Sequence, residues 1–226
     1  MAHTLDNIFW HALSGPQKHF SEGVDHARRF ATGFSPIVAF PDPQQPDFDA
    51  LAPFCRPDEH FYCDGWSGAA PRGWNIDKDA SMFKMIWDAP MPAEDAAPDA
   101  VPLDARHAPQ AVALATLTNP GPFGIRTIEL GEYFGYFEGE RLVAMTGERS
   151  CAPGFREISG VCTHPDFQGR GLARKLGLKV IRRQLLRGET PFLHVMSHNT
   201  TAHEMYLRMG FRDHGLSPVR VVSRTG

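Results

Sequence analysis

Apolar residues in the second half of the chain switch between helical and extended spacing, and the switches mark out its elements. From Gly171 to Arg187, the residues Leu172, Leu176, Val180 and Ile181 share one face, and Leu185 continues it. Arg174, Lys175, Lys179, Arg182 and Arg183 fall outside that stripe, which predicts an amphipathic helix. Before it, strands are predicted over Ile128 to Phe137 and Arg141 to Glu148, joined at a glycine-containing turn, Glu138 to Glu140. A third strand runs from about Arg156 to Thr163 and stops at Pro165. After the helix, Phe192 to His198 reads as a strand. Thr201 to Glu204 then offers a capping box, Met205, Tyr206 and Met209 form an apolar stripe, and Gly210 stands where a helix ends. Extended structure returns from Phe211, with Val219, Val221 and Val222 as its strand residues.

The first half is punctuated by Pro and Gly. Helices are predicted near Leu5 to Leu13 and Ser21 to Phe30, with extended pieces at Ile37 to Phe40, His60 to Cys63 and Met82 to Trp87. From Ala89 to Pro109 prolines at 90, 92, 98, 102 and 109 disfavour both helix interior and central strand, so this stretch reads as an interdomain linker. The resulting division is an N-terminal α/β domain, residues 1–98, and a second domain, residues 99–226. Within the latter, Asp104 caps a helix to about Leu117, and the NPGPF stretch, Asn119 to Phe123, breaks the chain. No short internal repeat is visible; a diverged duplication of one fold across the halves stays open.

At 226 residues and 42% apolar content the chain can bury a sizeable core. A formal charge of −3 gives no global attraction to nucleic acid or an anionic membrane, so any anion site must be local. Met1 to Trp10 does not read as a signal peptide and no window reaches membrane-spanning length, so a cytoplasmic protein is expected. Cys55, Cys63, Cys151 and Cys162 are scattered without a CxxC pair, which points to free thiols rather than a zinc site or disulfides.

The specific chemistry lies at Gln168 to Ala173, reading QGRGLA, between a strand and the basic helix. Main-chain N–H groups at a helix start lack intrahelical partners and sit at the positive end of the dipole, so they suit a phosphate. Gly169 and Gly171 remove side chains that would block its approach, and Arg170 and Arg174 add cations. A dinucleotide fingerprint fits poorly: its third glycine is missing, and no acidic residue closes the following strand, FLHVMSH. His194, His198 and His203 suggest a metal, but His194 and His198 on one strand would stand roughly 13 Å apart, so no metal site is assigned.

With Gln168, Gly171 and Ala173 in the slots of its signature, the chain resembles the GNAT superfamily of N-acetyltransferases over about residues 101–226. The resemblance implies an α/β fold, a mixed, mostly antiparallel twisted sheet flanked by helices. It would be parallel only where the Val161 and Val195 strands flank the basic helix, with an N-terminal half that could be a degenerate copy. It implies an acetyl group moved from acetyl-CoA, or another acyl-CoA, to a primary amine of a small molecule or amino acid. The diphosphate would sit on Gln168, Gly169, Arg170, Gly171, Leu172, Ala173 and Arg174. The pantetheine arm would lie along Val161, Cys162 and Thr163, the Cys162 side chain pointing away. An N–H near Val161 would polarise the thioester carbonyl. Asn199 would contact the cofactor or serve only as a cap.

Glu157, eleven positions before Gln168, resembles the strand glutamate of the histone-acetylating branch and is the candidate base; the alternative is a carboxylate paired with Arg149 or Arg156. Tyr206 is the candidate acid, or else a core aromatic. Candidate acceptor walls are the NPGPF turn, Tyr133 to Phe137, and Glu148 with Arg149. Nucleic-acid and membrane partners are not expected, and homodimerisation stays open. A non-catalytic acyl-CoA-binding module and a nucleotide-dependent oxidoreductase are the rival readings.

Overall fold

In the computed structural model, which describes residues 3–225, the first half forms α1 (Ile8–Ser14), β1 (Ser21–Val24), β2 (Ala27–Phe30), β3 (Ile37–Ala39), α2 (Phe48–Leu51), β4 (His60–Asp64) and β5 (Trp74–Trp87). The chain continues through β6 (Val101–Leu103), α3 (Ala108–Thr118), β7 (Tyr133–Glu138), β8 (Arg141–Ala152) and β9 (Phe155–Thr163). It ends with α4 (Leu172–Leu186), β10 (Thr190–Met196), α5 (Thr200–Met209) and β11 (Phe211–Arg224).

All the strands join one sheet in the order β1-β2-β3-β4-β11-β5-β10-β9-β8-β7-β6. Pairing is antiparallel except at β9 with β10, as expected, and at β3 with β4, a second parallel pair that the sequence reading did not contain. The order reads alike outward from its middle. The long strands β11 and β5 lie side by side; β4 flanks one and β10 the other, each antiparallel to its long neighbour and parallel to the next strand out. The two halves thus repeat one pairing pattern, with their closing strands exchanged.

This exchange corrects the division near residue 98. β5, from before the boundary, is hydrogen-bonded between β11 and β10, so one core spans both halves. The stretch 89–109 is not a free linker: Ala97 and Ala100 are buried in the core beneath α4, and Asp95 pairs with Lys179 at 2.5 Å. That pair also withdraws Lys179 from the exposed side of α4, where its spacing had put it. Pro102 sits in β6, an edge strand, where its missing N–H goes unused.

Ser21 to Phe30 is a hairpin rather than a helix. The chain turns at Asp25 and His26, and the cross-strand pairs run from Ser21 with Phe30 to Val24 with Ala27. Arg28 and Arg29 are buried, and Arg29 donates to both Glu59 carboxylate oxygens, at 2.7 and 2.9 Å. Thr127 to Leu130 forms a 3-10 turn ahead of β7. Asp104 caps a short 3-10 turn that leads into α3, which Asn119 ends in the left-handed region at φ 48°.

One face of the sheet carries α4 and α5, with Leu176, Val180, Ile181 and Met209 packed on Leu193 and Val195. Phe9 and Leu13 of α1 are buried against Phe30, Ile37, Met82 and Val219, and α3 covers Met145 and Cys162. Among the described residues no helix is long and apolar enough to cross a membrane.

Candidate active site

β9 and β10 pair only at their beginnings, where Phe155, Arg156 and Glu157 oppose Thr190, Pro191 and Phe192. Beyond Glu157, β9 follows β8 and β10 follows β5, so their facing edges part and the sheet opens into a V. The divergence has a local cause. Gly160, at φ 61°, lies in a register shift against β8, and a bulge bends the strand that carries it. A Cβ there would also come within 3.0 Å of the Tyr133 ring. A cavity of about 640 Å³ fills the V and is lined from both sides of the sheet: by Arg174, Ala202, Met205 and Tyr206 on one, and by Phe9, Arg149 and His194 on the other.

At one end of the cavity lies the turn singled out by the sequence. Gly169 and Gly171 hold φ 75° and 74°, left-handed conformations that favour glycine, and a Cβ on either would meet nothing within 4 Å. Lys175 makes the first helical bond, its N–H donating to the Gly171 carbonyl at 3.0 Å. Among the described residues, none of the main-chain N–H groups from Gly169 to Arg174 finds a partner. Unpartnered donors at a helix start that borders the cavity suit an anionic group such as a diphosphate.

Gln168, Gly169, Gly171, Leu172, Ala173 and Arg174 line the cavity, as do Val161 and Thr163. Arg170 does not: its guanidinium stacks 4.6 Å from the Phe167 ring centre and donates to the Asp166 carbonyl. Cys162 points the other way, into the core under α3, and burial pushes its thiol up to about 12. Asn199 caps α5 by accepting from the Ala202 N–H at 3.1 Å while still lining the cavity, so it serves as cap without being withdrawn from the site.

Tyr206 lines the cavity, its hydroxyl without a partner among the described residues, and burial raises its phenol. It stays protonated at neutral pH and so able to give a proton.

Of the two readings of Glu157, the geometry favours the carboxylate paired with Arg149 over a free base. It is fully buried and accepts from Arg149 Nε at 3.0 Å, Arg149 Nη2 at 2.6 Å and the Ser150 N–H at 3.1 Å, with His194 Nδ1 at 2.7 Å. Burial alone would raise its pKa; the Arg149 charge and the His194 contact overcome that and hold it well below the ordinary carboxylate range. A carboxylate so engaged is a poor proton acceptor at neutral pH.

The walls differ from expectation too. The NPGPF turn and Arg149 are in place, but Tyr133 to Phe137 and Glu148 do not line the cavity. Instead Ile37, Tyr62, Met82 and Val219 make an apolar wall beside Phe9. These residues come from the first half and from β11, and no local pattern marked them. The sequence marks His194 only as a possible metal ligand. The three histidines do not converge: His198 lies beyond the end of β10, and His203 stacks on Phe83 and pairs with Asp213.

The FR47-like protein family matches residues 133–221. Among solved structures, the chain is 34% identical to a GNAT-family protein from Novosphingobium aromaticivorans, over the whole of both chains, with a TM-score of 0.91. A GCN5-related N-acetyltransferase-like protein from Streptococcus suis is 15% identical, covering 96% of this chain and 92% of its own, at a TM-score of 0.62. A GCN5-related N-acetyltransferase from Kribbella flavida is 15% identical over 92% and 91%, at 0.59. No curated protein matches the chain.

Proposed function

This chain belongs to the GNAT superfamily of N-acetyltransferases, and from that premise we propose that it moves an acetyl group from acetyl-CoA directly to the primary amine of a small molecule or amino acid, in the cytoplasm. Acyl transfer comes with the family. The donor and the acceptor are the proposal, and the observation that carries it is the run of unpartnered amides from Gly169 to Arg174 opening onto a cavity that passes through the V.

In this reading the amides and Arg174 hold the CoA diphosphate. The free edge of β9 past Glu157 offers main-chain groups to the pantetheine arm, and an N–H near Val161 polarises the thioester carbonyl. Both substrates then meet inside the sheet, CoA from the α4 side and the amine from the α1 side. The apolar wall of Ile37, Tyr62, Met82 and Val219 favours an amine with an apolar body.

Thiol release from acetyl-CoA across a panel of amines and amino acids tests donor and acceptor together. Release accelerated by at least one primary amine is expected, and a panel that leaves the rate at background contradicts the proposal. Tyr206→Phe is expected to lower kcat roughly 100-fold, because the sulfur then departs without its proton donor. Its acetyl-CoA affinity should stay within about twofold of the parent. An unchanged kcat would return Tyr206 to a packing role.

A further inference from the structure

On the α1 side of the sheet a row of buried charged and polar groups runs across neighbouring strands. Arg149 of β8 holds Glu157 of β9, Glu157 holds His194 of β10, and His194 stands opposite Lys84 of β5. Lys84 pairs with Asp64 of β4 at 2.7 Å and donates to the Leu5 and Asp6 carbonyls. Each cation in the row has its own carboxylate, which leaves His194 the one member without an opposite charge of its own.

The tautomer of His194 follows. Glu157 is ionised and can only accept, so the 2.7 Å contact requires the imidazole to donate from Nδ1. In the neutral ring Nε2 then carries the lone pair. It is buried and has no partner among the described residues, although a buried polar atom is ordinarily satisfied. His194 lines the cavity just past Phe192, where the V begins, and its ring is fixed by stacking on Phe9 at 4.9 Å.

We infer that His194 Nε2 is the general base that takes a proton from the incoming ammonium, with Glu157 as the positioning residue that fixes its tautomer. The inference rests on the proposed amine acetylation. The ammonium gives one proton to Nε2, and from there to water. The amine lone pair forms the C–N bond as the C–S bond breaks with its electrons on sulfur. The second nitrogen proton reaches sulfur by way of the Tyr206 hydroxyl, so the sum is amide, thiol and one released proton. A proton already on Nε2 blocks the step, so acid slows the reaction. Glu157 of β9 touches the ring, Arg149 of β8 holds Glu157, Lys84 of β5 stands opposite with Asp64 of β4 paired to it, and α1 contributes the uncharged Phe9; Tyr62 of β4 and Lys78 of β5 line the same cavity.

His194→Asn keeps a donor near the Nδ1 position and removes the base. Calorimetry should find its acetyl-CoA affinity within about twofold of the parent, while amine-dependent thiol release at neutral pH falls about 100-fold and the acidic limb of the pH profile disappears. A variant that binds acetyl-CoA and keeps the parent rate and profile overturns the inference. If the parent binds acetyl-CoA but acetylates no amine, the proposed acceptor class fails instead. ¹⁵N-histidine NMR on the parent decides independently of acceptor and of the variant's folding. A lone pair on Nε2 at neutral pH is expected, and a proton there with Nδ1 bare overturns the assignment.

Discussion

Replacing Gly171 by Glu should remove acetyl-CoA binding from an otherwise folded protein, with calorimetric affinity lowered at least about 1,000-fold, or roughly 4 kcal/mol. Gly171 stands at φ 74° as the N-cap of α4, and a Cβ there projects into open space, so a longer side chain meets no packed atom. Its carboxylate would enter the space bounded by the free amides, where it would repel a diphosphate and compete for the same donors. The left-handed backbone costs about 1–2 kcal/mol with any Cβ, so the melting temperature should fall by only a few degrees. Gly171→Ala has that strain without the charge and should lose far less affinity. Parent-like affinity in the glutamate variant would remove the anion site from this turn.

Arg149→Met should destabilise the protein by about 3–5 kcal/mol and lower its melting temperature by roughly 10 °C, because Glu157 is left ionised and buried with its principal counter-charge gone. The sign with pH is fixed. In the parent the Glu157 pKa is depressed, so its contribution is fully present above the unfolded value of about 4.3 and is lost as pH falls below it. In the variant that depression is largely gone, so the stability gap to the parent should narrow as pH drops below about 4. Adding Glu157→Gln to Arg149→Met should recover much of the loss. A drop of less than about 1 kcal/mol for Arg149→Met alone would show the pair to be weak.

The parts of this molecule that could be read in advance are those whose causes are local. The α4 stripe, the glycine turn and the β9-turn-α4-β10 order follow from spacings within a few residues. What escaped depends on distant pairing. Ser21 to Phe30 carries Val24, Ala27 and Phe30 at helical spacing, and only the burial of Arg29 against Glu59 and the turn at Asp25 and His26 make it a hairpin. The polar beginning of β5, Asn75 to Asp79, is held as strand by β11, more than a hundred residues away. Glu157 could be found from its offset to Gln168. The sequence leaves its pairing with Arg149 open as one alternative, but the His194 contact is set by register between β9 and β10 and carries no local sign. His194 stands out in the sequence only as one of three neighbouring histidines, and that its Nε2 has no partner among the described residues is visible only in three dimensions.

The exchanged long strands also set an order of events during biosynthesis. Until Phe211–Arg224 leaves the ribosome, one edge of β4 and one edge of β5 lack the neighbour that both share in the finished sheet. A nascent chain stopped before residue 211 presents two bare hydrogen-bonding edges of the kind that recruit strands from other molecules, which makes it a client for chaperones. Neither half ripens first, so the catalytic passage takes shape only when the closing segment slots between them.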